Sequence, residues 1–110
     1  MRKIDLVAQV AQRTGMPKEA ILKSLNAALA VISETIAQGE EVRLKGFGTF
    51  VVRPRRPTRR SNLWTRQVFA IPSKPIPRFV PGKALKQRVL SNLTVVELPS
   101  GRLAIRPKSG

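Results

Sequence analysis

Between Glu41 and Glu97 the chain has no acidic residue and thirteen basic ones: Arg43, Lys45, Arg53, Arg55, Arg56, Arg59, Arg60, Arg66, Lys74, Arg78, Lys83, Lys86 and Arg88. Ammonium and guanidinium groups at this density, with no carboxylate to neutralise them, suit one task, the binding of a polyanion whose condensed counterions they displace. Residues 1–41 differ, with five basic residues against five acidic ones. A merely solvated surface would mix the signs, so the division into a neutral half and a cationic half points to a function. The formal charge is +15. Nucleic acid is the usual partner for such a charge; an anionic membrane surface would also serve, and charge alone leaves both open.

The same inventory argues against catalysis. The chain has no Cys and no His, so thiol and imidazole nucleophiles and bases and the usual zinc ligands are missing, and neither a metal nor a cofactor is expected. The acids are scattered. Only Glu40 and Glu41 adjoin, and neighbours on a strand point to opposite faces, which makes a poor acid/base pair. Absence of Cys suits a cytosolic protein. Met1–Asp5 does not read as a signal peptide, and no apolar run is expected to reach the ~18 residues of a membrane span. A cytoplasmic location follows as the expectation.

The cations need a scaffold, and the chain's periodicities outline one. Ile4, Val7, Val10 and Ala11 fall at helical spacing from Lys3 to Arg13, closed by Gly15. Pro17 suits a first helical turn. A second helix reads from Lys18 to Gln38, with Ile21, Leu25, Ala28, Leu29, Ile32 and Ile36 on one stripe and Gly39 as its cap. The period then changes to two. Val42 and Leu44 alternate with Glu41 and Arg43, Lys45-Gly46 turns, and Phe47–Val52 continues as a second strand. Phe47, Phe50 and Phe79 are assigned to the core, with Gly46 and Gly48 allowing unusual backbone angles or close packing. Residues 53–60 contain two prolines, which exclude a central strand and a helix interior, leaving an exposed edge ribbon or loop. Ser61-Asn62 is a tip, and Val68, Phe69 and Ile71 mark a returning strand. Pro81-Gly82 introduces a short third helix from Lys83 to about Leu90, with Leu85 and Val89 inward. Finally, residues 93–98 and 102–106 alternate around Pro99-Ser100-Gly101, so that the C-terminal stretch reads as a hairpin or as a basic tail. A chain of 110 residues with few large side chains buries little area, and dimerisation is a natural remedy.

Three blocks make the chain resemble the bacterial HU and integration host factor family: residues 42–50 (VRLKGFGTF), the arm onset Val52-Arg53-Pro54-Arg55, and residues 79–86 (FVPGKALK). The order of elements matches over roughly residues 1–90. The resemblance implies an α+β fold in which two chains intertwine: an N-terminal helical hairpin, a three-stranded sheet with a long β-ribbon arm, and a short C-terminal helix. The expected domain is residues 1–92, with its arm at about 53–75, followed by an extension at 93–110. The family serves as a standard example of minor-groove benders. The resemblance therefore implies double-stranded DNA as partner, with bent, nicked or junction forms preferred, and a place in the nucleoid. By position, Arg53, Arg55, Arg56, Arg59, Arg60, Arg66, Lys74 and Arg78 would contact DNA from the arm, and Lys3, Lys83 and Lys86 from the body. No membrane partner is implied.

The chain departs from the family at the arm tip. The family usually has Arg-Asn-Pro-x-Thr-Gly there, whereas this chain reads Ser61-Asn62-Leu63-Trp64-Thr65-Arg66. Leu63 stands where the family has its wedge proline, and leucine is an accepted wedge in other minor-groove benders. Trp64 could stack on an exposed base or cover the wedge, Asn62 would lie beside both, and Arg66 replaces the turn glycine. The leading reading is a homodimer that bends DNA with little sequence preference. A sequence-selective subunit pairing with a different chain is a second reading. An RNA-binding or ribosome-associated protein is a third, weakened by the lack of paired aromatics on a sheet.

Overall fold

A computed structural model describes residues 1–61 and 64–108 of the chain. It divides into two compact units, Met1–Glu40 and Glu41–Gly110.

The first unit is a pair of helices, α1 (Lys3–Thr14) and α2 (Lys18–Ala37). A capping box opens α1, where the Arg2 backbone N–H donates to the Asp5 carboxylate at 2.9 Å. At its other end the Gly15 N–H donates to the Ala11 carbonyl at 2.9 Å. Pro17 stands one place earlier than expected, as the N-cap of α2 in extended conformation (φ −62°, ψ 141°). Contrary to expectation, α2 is long and apolar enough to cross a membrane by length and composition alone. Its few charges are Lys18, Glu19, Lys23 and Glu34, and alanine and branched aliphatic residues fill most of the remainder, with Ser24, Asn26, Ser33 and Thr35 among them. That composition serves equally for a helix that another protein surface covers.

The second unit begins with a three-stranded antiparallel sheet in the order β1 (Val42–Leu44), β2 (Gly48–Arg55) and β5 (Lys74–Pro81). The ribbon goes on as β3 (Thr58–Ser61) paired with β4 (Val68–Ile71). Each β2–β5 and β3–β4 pair keeps one register, from Gly48 opposite Pro81, through Arg55 opposite Lys74, to Ser61 opposite Val68. Its phase is fixed by the Gly82 N–H, which donates to the Phe47 carbonyl at 2.8 Å. Antiparallel pairs alternate between bonded and unbonded. Counting from Gly82, Pro54, Pro75, Pro77 and Pro81 all fall on unbonded pairs, where the N–H would point away from the partner strand and its loss costs no ladder bond. Pro57 and Pro72 face each other one step into the bonded phase. Both donors of that pair are missing, and the ladder breaks there, between Arg55 and Thr58 on one strand and Ile71 and Lys74 on the other. Sequence alone left residues 53–60 as ribbon or loop; they are ribbon with one interruption.

Phe47 was expected to open β2 but lies in the preceding turn, where its N–H donates to the Leu44 carbonyl at 3.0 Å and Gly46 has φ 83°. Its ring packs against Phe79 with centroids 5.3 Å apart, and the Phe50 ring lies 5.0 Å from that of Phe79. Gly48 is required beside this cluster. A Cβ there would strike the Phe79 ring and come 2.7 Å from the Val80 carbonyl.

Helix α3 (Lys83–Asn92) follows Gly82 and passes directly into a hairpin, β6 (Leu93–Glu97) and β7 (Leu103–Pro107). Leu85 is half-buried, but Val89, expected inward, is exposed, and no residue of α3 is buried. Across the described residues the buried apolar core is Val7, Ile21 and Val51. The chain exposes 9886 Å², where a folded monomer of this mass would expose about 6,100 Å². Aromatic and aliphatic faces that sequence assigned to the core are therefore bare in a lone chain.

Candidate nucleic-acid interface

Directly opposed residues on a sheet share a face. The register therefore puts Arg53, Arg55, Lys74 and Arg78 together on one face of the β2–β5 ribbon, around Val51 and Ile76. Phe50, Phe79, Val52 and the prolines take the other face. Sequence alternation within one strand shows that Arg53 and Arg55 share a side. Only the cross-strand register shows that Lys74 and Arg78 join them. Arg43, absent from the expected set, faces the same way because it pairs with Thr49. Its strand alternation was the available signal, but Glu41 already holds its guanidinium at 3.2 Å.

Among the described residues, the ion pairs are Arg2–Asp5 at 3.9 Å and Arg43–Glu41 at 3.2 Å, both exposed. Neither involves the arm. Arg53, Arg56, Arg66, Lys74 and Arg78 are exposed. Their charge is thus available to an outside anion, at little desolvation cost before binding.

Arg55 is half-buried and bends back on the arm. One of its Nη groups donates to the Pro72 carbonyl at 3.4 Å, and its Nε is buried with no partner among the described atoms. The proline break explains the contact. Pro57 has no N–H to offer the Pro72 carbonyl across the ladder, and the Arg55 guanidinium takes that place.

The remaining expected residues are distributed as follows. Lys83 is the first residue of α3 and Lys86 lies one turn on; both are exposed. Lys83 stands beside N–H groups that themselves favour anions. Lys3 belongs to the first unit, where its ammonium donates to the Asn26 Oδ1 on α2 at 2.9 Å. Trp64 lies in the turn between β3 and β4, 95% exposed. Arg66 follows with φ 58°, the left-handed conformation that a glycine would adopt freely. Arg59 and Arg60 are on β3, with their side chains outside the described residues, and Asn62 and Leu63 lie outside them entirely.

Comparison with known proteins agrees with this geometry. Residues 1–90 match the family model described as bacterial DNA-binding protein. A protein of Thermus thermophilus named DNA-binding protein HU is 45% identical over 87 residues, spanning 79% of this chain and 90% of its own length. Its namesake from Thermotoga maritima is 39% identical over 89 residues, spanning 81% and 99%. Among solved structures, a cocrystal of Anabaena HU with DNA superposes with a TM-score of 0.74 at 35% identity, covering 81% of this chain and 97% of that one. A paired ribbon, the Gly-Phe-Gly turn at its base and a cationic ribbon face thus coincide with family-wide similarity, and the chain belongs to the bacterial DNA-binding protein family of HU and its relatives.

Proposed function

We infer that this protein is a non-enzymatic architectural DNA-binding protein, acting as a homodimer in the nucleoid with little sequence preference. The observation that carries this reading is the unneutralised ribbon face of Arg53, Arg55, Lys74 and Arg78. Such a face attracts backbone phosphates without regard to base sequence. The minor groove admits a two-stranded ribbon whose tip carries an apolar wedge; this reading assigns that part to Leu63 and Trp64, with Asn62 as a further DNA contact. Arg56, Arg59, Arg60 and Arg66 extend the cationic path along the arm, and Lys3, Lys83 and Lys86 add contacts from the body. The bare Phe47–Phe79 face and the apolar surface of α2 support pairing of two chains, which would cover both.

The test is electrophoretic binding to linear, nicked and four-way-junction duplexes at two salt concentrations. Contact with about 6–10 phosphates makes affinity fall ~10³–10⁵ between 50 and 200 mM salt. Nicked and junction DNA, whose bending cost is already met, binds more tightly than the linear duplex. Equal affinity for rigid and pre-bent duplexes would remove the bending function. Tighter binding to structured RNA than to bent duplex would transfer the protein to the RNA-binding class.

A further inference from the structure

Residues beyond 90 lie outside the family match, yet those described, 91–108, complete α3 and add a hairpin to it. The Leu93 N–H still donates to the Val89 carbonyl, so no linker separates helix from hairpin. At the open end of the hairpin the Lys108 N–H donates to the Asn92 carbonyl at 3.0 Å. At the turn, Leu98 and Gly101 close two more backbone bonds of 2.8 Å, with Gly101 at φ 86°. The hairpin is thereby fixed to the helix.

Its two faces differ in kind. Leu93, Val95 and Glu97 stand opposite Pro107, Ile105 and Leu103 on one side; Thr94 and Val96 stand opposite Arg106 and Ala104 on the other. The first side is the bare one: Val95 is 61% exposed, Ile105 64% and Leu103 73%. It continues onto α3 through Leu90, 69% exposed, and Val89, across a groove of about 110 Å³. A two-stranded hairpin that leaves its aliphatic side in water is marginal without a cover.

We propose that this aliphatic stripe docks on the helical unit, residues 1–40, of a second copy of the chain, so that the extension enlarges the dimer interface. The inference rests on the dimer reading above. Two observations select the occupant. The stripe is continuous with the apolar face of α3, where Val89 and Leu90 are bare in a lone chain, so that one covering surface can bury both. The extension is also cationic, with Arg102, Arg106 and Lys108 against Glu97, like the rest of residues 41–110. Another cationic half would be repelled, whereas residues 1–40 carry five basic and four acidic residues and expose Ile4, Leu22 and Val31.

The chain has no cysteine, so Leu103→Cys gives a unique handle for a benzophenone. Mixed dimers of isotopically labelled and unlabelled full-length chains are irradiated without DNA, and the cross-linked peptides are sequenced. Cross-links from position 103 to residues 1–40 of the other copy are the expected result. Cross-links confined to the same chain, to the other copy's cationic half, or at background level would overturn the assignment. In parallel, sedimentation in DNA-free buffer compares the parent with Val95→Ser/Ile105→Ser, which alters no charge. The dimer dissociation constant should rise at least about tenfold, with hydrogen exchange in β6 and β7 confirming that the hairpin persists. An unchanged constant overturns the proposal, as does a parent tetramer that the variant reduces to dimers. Neither readout involves DNA, so both outcomes are independent of whether the DNA-binding reading stands.

Discussion

At the residue level, Arg66 shows what the arm tip costs. Its left-handed backbone is unfavourable by roughly 1–2 kcal/mol for a residue with a Cβ, and glycine would avoid that. Arg66→Gly should therefore slow amide exchange at the tip, while lowering the salt slope of DNA binding by about one unit through loss of a cation. Arg66→Lys should restore the slope and leave the exchange unchanged. Trp64 is the sole tryptophan and almost fully exposed, so its fluorescence reports on the tip alone. Stacking on a base shifts its emission to the blue and quenches it with nicked duplex; an unmoved spectrum at saturation would rule out that contact. Gly48→Ala forces the Phe79 ring to move, with an expected loss of about 1–3 kcal/mol read by denaturant unfolding. At this scale the sequence was informative where chemistry is local. The missing acids exposed the cationic middle, and the Gly-Phe-Gly pattern located the close approach. It could not show that Arg55 is partly committed to the Pro72 carbonyl, because that bond depends on which strand residues face each other.

At the level of elements, the two proline phases divide the labour of the arm. Pro57 and Pro72 remove two ladder donors at one place, so the inner and outer ribbon segments are joined by unbonded backbone. The double change Pro57→Ala/Pro72→Ala should restore both donors, raise hydrogen-exchange protection between Arg55 and Lys74, and free Arg55 from its carbonyl. A stiffer arm should also discriminate less between linear and bent duplexes; unaltered exchange would show that another constraint keeps the ribbon open. Helix periods and strand alternation located α1, α2, β1 and α3 to within a few residues from sequence. The arm was legible only as ribbon or loop, because proline count does not reveal proline phase. Residues 93–107 were similarly open between hairpin and tail, since alternation cannot say whether a short hairpin finds a surface to fix it.

For the whole molecule, the separation into a neutral helical half and a cationic half was readable from charge alone; the class of partner was not, since an anionic membrane would serve as well, and it was the VRLKGFGTF and FVPGKALK blocks that pointed to DNA. The distribution of the core was not. Phe47, Phe79 and Val89 have the spacing of interior residues, yet lie exposed in a single chain, because apolar periodicity does not distinguish a chain's own core from a surface another copy covers. Folding should accordingly be coupled to association. The thermal midpoint should rise with protein concentration in DNA-free buffer, and a midpoint independent of concentration over a hundredfold range would argue for a self-sufficient monomer.

The outward prolines of the inner ribbon bear on how such a protein survives crowding. A long ribbon has two free edges, each a template for strand addition by a neighbouring molecule. Pro75 and Pro77 withhold donors along the outer edge of β5, and Pro54 does so on β2 beyond the reach of β1. The inner half of an arm long enough to follow a groove is thereby a poor template for the arms of its neighbours, an advantage at the concentrations that compact a chromosome.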